Sequence, residues 1–160
     1  MNEQLRILFE TQITKEMESA YLYLGMSKYF AEKGLDGIAS WFKKQASEEM
    51  EHAQKFIDYL TSNEIPFEFH DVKYMRVEYA DVKAPFVKQL EHEKLVTSLI
   101  FNLYEKAIEV KDLFAVRFLN WFVSEQAEEE ATARGLLDKI ALLGTEGMGL
   151  YQLNKDLSSR

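Results

Sequence analysis

The stretch "SEEMEHAQKF", residues 47 to 56, sets Glu49 and His52 three positions apart inside a run that otherwise has the spacing of a core-facing helix. On an α-helix, residues i and i+3 share one face with about 5 to 6 Å between their Cβ atoms, so a carboxylate and an imidazole there can grip one ion. A solvated charged face would use the same letters. The neighbouring helices decide between the two readings.

Apolar residues at steps of three and four recur in four long passes. Leu5, Leu8, Gln12, Glu16, Ala20, Tyr23, Met26 and Phe30 mark a first helix over 3–33, with Gly34 as its C′ residue. Ile38, Phe42, Gln45, Glu49, His52, Phe56 and Tyr59 mark a second over 36–62, with Asp36 as N-cap candidate. Residues 63–81 mix Pro66 with aromatic and β-branched residues, carry no helical stripe, and read as a long crossover. A third helix, 82–110, follows Phe86, Gln89, Glu93, Val96, Ile100, Leu103 and Ala107, with Pro85 tolerated in its first turn. A fourth, 112–143, follows Ala115, Leu119, Phe122, Gln126, Glu129, Ala133, Leu136 and Ile140, and a short amphipathic fifth is expected over 146–157. Two short links and one long connection predict an all-α fold: a four-helix bundle with one crossover, occupying 1–160 as a single domain. The crossover must run extended, which makes the second and third helices parallel.

Composition fits that fold and narrows the chemistry. The 160 residues are 47% hydrophobic and 29% charged, with only two prolines and seven glycines to interrupt helices. A net charge of -8 opposes binding to nucleic acid or an anionic membrane and favours cationic guests. The absence of cysteine excludes disulfides, thiolate nucleophiles and iron–sulfur clusters, so any metal must use oxygen and nitrogen ligands. The N-terminal "MNEQLRILFETQ" has no basic run followed by an apolar stretch, so the expected compartment is the cytoplasm.

All four stripes carry a glutamate near the middle: Glu16, Glu49, Glu93 and Glu129. Burying one unpaired carboxylate costs several kcal/mol, and four would cancel the roughly 5 to 15 kcal/mol net stability of a domain. Lys15, Lys94 and Arg134 fall about 100° or more off the stripes, so a metal pair is the remaining counterion. Two divalent ions balance four carboxylates, with His52 as a neutral nitrogen ligand. Tyr23 lies two turns beyond Glu16 on the same face, placed to bond a ligand carboxylate or donate an electron. Gln126, three before Glu129, is weak as a ligand, since amides bind metal poorly, and suits a supporting role. The run "SEQAEEE" adds Glu125, Glu128 and Glu130, and Glu48 adjoins Glu49; a solvated face and a secondary cation site both account for them. His70 and His92 are expected at the surface.

Glu16 and Tyr23 on the first helix, "EEMEH" on the second, "EHE" on the third and "SEQAEEE" on the fourth together resemble the bacterial non-haem ferritins over essentially the whole chain. The resemblance implies a catalytic ferroxidase centre. Glu16, Glu49 and His52 would hold a first iron; Glu49, Glu93 and Glu129 a second, Glu49 bridging, with Gln126 beside them and Tyr23 close by. Glu48, Glu125, Glu128 and Glu129 resemble the family's third iron site. It further implies Fe(II) oxidation by O2 or H2O2 and a homo-oligomeric 24-subunit hollow shell that stores ferric mineral. Bacterioferritins repeat Glu-x-x-His on the fourth helix, where this chain has Gln126 and Glu129, so no haem is expected even though Met50 matches the haem-ligating position. A peroxide-reducing or substrate-oxidising di-iron bundle and a plain helical scaffold are the alternatives; a substrate oxidase would need an apolar pocket beside the metals.

Overall fold

A computed structural model describes residues 1–159 and places five helices in chain order: α1 Glu3–Glu32, α2 Asp36–Ser62, α3 Ala84–Glu109, α4 Leu113–Leu143 and α5 Gly147–Leu157. Their ends depart from the expected bounds by up to two residues, for local reasons. At the end of α1, Gly34 has φ 72°, its N–H donates to the Ala31 carbonyl, and the Leu35 N–H donates to the Phe30 carbonyl. These two bonds satisfy carbonyls that the last helical turn would leave orphaned. α2 and α3 close with the same pair of bonds, but Glu64 (φ 54°) and Lys111 (φ 58°) stand where glycine is favoured. α3 begins two residues late because the Asp81 carboxylate accepts the N–H groups of Lys83 and Ala84 at 2.9 and 2.8 Å, holding a turn ahead of the helix. Asp112 is the cap of α4, accepting from the Ala115 N–H at 3.0 Å, rather than its first residue.

The start of α2 corrects the expected cap. Asp36 is the first helical residue, and the cap position belongs to Leu35, which has no side-chain acceptor. Asn154 of α5 supplies one: its Oδ1 accepts the Ile38 N–H at 3.0 Å. Gly37 permits this approach, because a Cβ there would lie 1.9 Å from the Asn154 carbonyl oxygen.

The crossover's direction follows from what it touches on α1. The Glu68 N–H donates to Glu10 Oε1 at 2.9 Å, Tyr74 packs edge-on to Tyr21 over Gly25, and Tyr79 packs against Tyr29. The segment therefore climbs α1 from residue 10 to 29, a rise of about 28 Å that extended chain spans easily. It delivers α3 to the end of the bundle where α2 begins, so α2 and α3 are parallel. Glu10, which sequence periodicity passes over, is buried and also bonded to Arg6, anchoring the foot of the crossover.

Two apolar clusters fill the bundle. One gathers around Phe30 and Phe42, stacked 5.4 Å apart, with Phe86 beside them; the other around Phe9, Phe56 and Phe122, with Phe56 and Phe122 at 4.4 Å. Each fully buried large side chain contributes about 1.5 to 3 kcal/mol, so these clusters fix the rotation and height of every helix. Between them lies a polar layer: Gln12, Glu16, Gln45, Glu49, His52, Gln89, Glu93, Gln126 and Glu129, all buried. Among the described residues, no helix is long and apolar enough to cross a membrane.

Candidate metal centre

Each of the four long helices gives the polar layer one glutamate from the middle of its apolar stripe. Glu16, Glu49, Glu93 and Glu129 are 1%, 3%, 1% and 7% exposed. Among the described residues, none of the four is paired with a lysine or arginine. Ligand atoms of Glu16, Glu49 and His52 all lie within 4.8 Å of one another, close enough for one ion. His52 Nδ1 is 3.4 Å from Glu49 Oε2, and its Nε2 is 3.7 Å from Glu125 Oε1. One ring nitrogen thus faces Glu49 of the cluster, while the other faces the Glu125 carboxylate outside it, beyond direct hydrogen-bond reach. Trp121 packs edge-on to the same imidazole at 5.5 Å.

Glu93 is tied from two sides. The Tyr23 hydroxyl donates to its Oε1, and Gln126 Nε2 reaches its Oε2 at 3.3 Å while also touching the Glu93 carbonyl and Thr97 Oγ1. The Gln126 amide N–H therefore acts as a clamp on Glu93. Gln45 Nε2 crosses from α2 to Glu129 Oε2 at 3.1 Å, and Gln12 Nε2 holds Glu16 Oε1 at 2.8 Å. Periodicity puts Gln12 and Gln45 on the stripes but says nothing of these contacts. The signal was available: on each of the four helices a buried glutamine precedes the glutamate by one turn.

Electrostatics record the crowding. Burial, then the charge of Glu49, raises Glu16 from 4.5 to about 8. Burial, then Glu93 and Glu129, pushes Glu49 well above the usual carboxylate range. Burial and Glu93 raise Glu129 to about 7; burial raises Glu93 to about 6, against the lowering effect of the bonds from Tyr23 and Gln126. Tyr23, wholly buried among carboxylates, is raised well above 10. Oε2 of Glu16 has no hydrogen-bond partner. Clustered carboxylates without a bound cation favour protonation, and a multivalent cation reverses that preference. An orphaned carboxylate oxygen, four acids and one imidazole form a hard donor set suited to iron or manganese.

Of the outer acids, Glu48 and Glu125 are half-buried and Glu128 is exposed. Glu48 is near enough to raise Glu49, and Glu125 faces His52. His70 is exposed, as expected, but His92 is not a surface residue. Its Nε2 lies 2.7 Å from Ser19 Oγ, its ring meets Tyr23 edge-on at 5.9 Å, and burial pushes its pKa down to about 4.

Residues 8–143 match the ferritin-like domain family. The chain is 41% identical over 151 residues to the bacterial non-heme ferritin of Campylobacter jejuni, covering 94% of this chain and 90% of that one. It is 35% identical over 148 residues to the bacterial non-heme ferritin of Escherichia coli, covering 92% and 90%. Among solved structures, an open pore ferritin from Archaeoglobus fulgidus superposes with a TM-score of 0.97 at 37% identity, covering 100% of this chain and 98% of that one.

Proposed function

Because the chain belongs to the ferritin-like family, we propose that it stores iron and that its buried carboxylate layer is a ferroxidase centre, taking up two Fe(II) per chain and oxidising them. The observation that carries this reading is the set of four buried glutamates with no basic partner, arranged around a three-ligand cluster with His52. Glu16, Glu49 and His52 hold one Fe(II); Glu49, Glu93 and Glu129 hold the other, with Glu49 shared. Two Fe(II) become two Fe(III), and the electron pair reduces O2 with two protons to H2O2, or H2O2 with two protons to water. The protein's part is to place the pair, neutralise it and manage protons. Carboxyls with raised pKa values give up protons as Fe(II) arrives, so uptake releases acid and strengthens with pH. Gln12, Gln45 and Gln126 keep the carboxylates aimed at the ions rather than turned aside. Tyr23, bonded to Glu93, is placed to supply an electron when a single oxidising equivalent is left over.

Glu48, Glu125 and Glu128 form an acidic exit beside the pair where a third iron is handled on its way to the mineral. The chain acts as a cytoplasmic homo-oligomer, a 24-subunit shell around that mineral. Anaerobic calorimetry with Fe(II), followed by admission of air, tests the centre: two ions per chain are expected, then absorbance from ferric products. A stoichiometry near zero refutes the centre, and a monomeric elution volume refutes the shell.

A further inference from the structure

The bundle has two opposite open seams, and they differ in chemistry. Across α2 and α4 lie Glu48, Glu125 and Glu128. Across α1 and α3, roofed by the crossover, lies a cavity of about 250 Å³. Its walls are Leu22, Leu95 and Leu99, with Met75 of the crossover above and His92 on one side. Lys15, Lys73 and Lys88 line its rim against two carboxylates, Glu18 and Glu91, which are paired to Lys15 and Lys88 at 2.7 and 3.9 Å.

His92 forms the inner wall. Ser19 Oγ donates to the Lys15 carbonyl and meets His92 Nε2 at 2.7 Å, joining α1 to α3 across the floor. Behind the imidazole is the Tyr23 ring, and the Tyr23 hydroxyl is bonded to Glu93. Two rings therefore separate the cavity from a carboxylate of the candidate centre.

We propose that this cavity is the port through which dioxygen reaches the iron pair, with the Ser19–His92 hydrogen bond as its inner gate. The inference rests on the reading that the chain oxidises Fe(II). Three features select the occupant. The volume lies below the range of sites for drug-sized organic molecules and readily holds a diatomic gas. The apolar walls favour an apolar gas over water and ions. The surplus of lysine over glutamate repels Fe(II), which the acidic α2/α4 seam attracts. Oxidant and cation thus approach from opposite faces.

Leu95 is half-exposed at the cavity wall, so Leu95→Trp fills the space without disturbing the core, and Leu99→Phe is a second filling variant should the first fail to fold. Xenon, an apolar probe of similar size to dioxygen, tests occupancy in metal-free protein by ¹²⁹Xe NMR or a pressurised crystal. Xenon should bind the cavity in wild type and not in the filled variant. In stopped flow at limiting O2, the filled variant should oxidise Fe(II) severalfold more slowly, with unchanged anaerobic Fe(II) stoichiometry and a smaller loss when H2O2 is the oxidant. Ser19→Ala should speed the O2 reaction. No xenon in the wild-type cavity, an unchanged O2 dependence in the filled variant, or equal slowing with both oxidants would each overturn the port. Failure of wild type to bind Fe(II) would remove the ferroxidase reading instead and leave the xenon result standing.

Discussion

Metal-free protein should lose stability as pH rises from 6.5 to 8, and Glu49→Gln should reduce that loss. In the fold, Glu16 titrates at about 8 and Glu129 at about 7, while Glu49 lies well above the usual range; unfolded, each returns to about 4.5. The folded chain therefore holds protons that the unfolded chain has released. For such raised acids the stabilising contribution is fully present below about pH 4.5 and disappears as pH climbs through the folded values. His92 works in the opposite direction, its pKa lowered to about 4, but its contribution is complete once the unfolded histidine has lost its proton near 6.5. Above that pH the carboxyls dominate. Over these 1.5 pH units an acid titrating at about 8, as Glu16 does, loses roughly 1.7 kcal/mol and one at about 7, as Glu129 does, roughly 0.8 kcal/mol, so the two account for about 2.5 kcal/mol, and Glu49 adds to the loss in the same direction. Glu49→Gln removes the contribution of Glu49 and relieves the charge that is second among the causes of the Glu16 shift, so the loss shrinks, while burial of Glu16 and the raised Glu129 keep part of it. The assay is urea unfolding followed by circular dichroism, with chelator present and protein concentration fixed so that assembly does not shift the midpoint. Added Zn(II) should invert the wild-type trend, because metal and protons compete for the same oxygens. Wild-type stability that rises between pH 6.5 and 8 in chelator, or a variant with the wild-type slope, would refute the reasoning.

Other outcomes follow from single contacts. Glu49→Ala should nearly abolish the fast oxidation phase, whereas Glu128→Ala should leave the first two irons per chain unaffected and change only later turnovers, both read by stopped-flow absorbance. Lys111→Gly should stabilise by up to about 1 kcal/mol, because Lys111 is exposed and holds φ 58° at a helix terminus where glycine carries no Cβ penalty; a lowered melting temperature would contradict this. Gly37→Ala should dislodge α5, since the new methyl meets the Asn154 carbonyl oxygen at 1.9 Å, exposing the buried Leu153 and Leu157 to limited proteolysis.

What the chain determined unaided was everything carried by repetition within one helix. The three-and-four spacing that runs through Phe30, Phe42, Phe86 and Phe122 marks which face of each helix is buried, and it places Glu16, Glu49, Glu93 and Glu129 on those faces. Gly34 could be read as a helix stop because the left-handed conformation is a local steric matter. Glu64 and Lys111 occupy the same conformation, yet no residue type announces them. The remainder depends on how high and how far round one helix sits against another. Gln45 reaches Glu129, Gln126 reaches Glu93, and Asn154 caps α2 from 116 residues away only because the two aromatic clusters fix those registers. His92 makes the same point in reverse: one position off the stripe, it is predicted at the surface. The α1/α3 seam then folds it against Ser19 and Tyr23, because a residue flanking the buried face is exposed or covered according to the neighbour it meets, which periodicity along one helix does not encode.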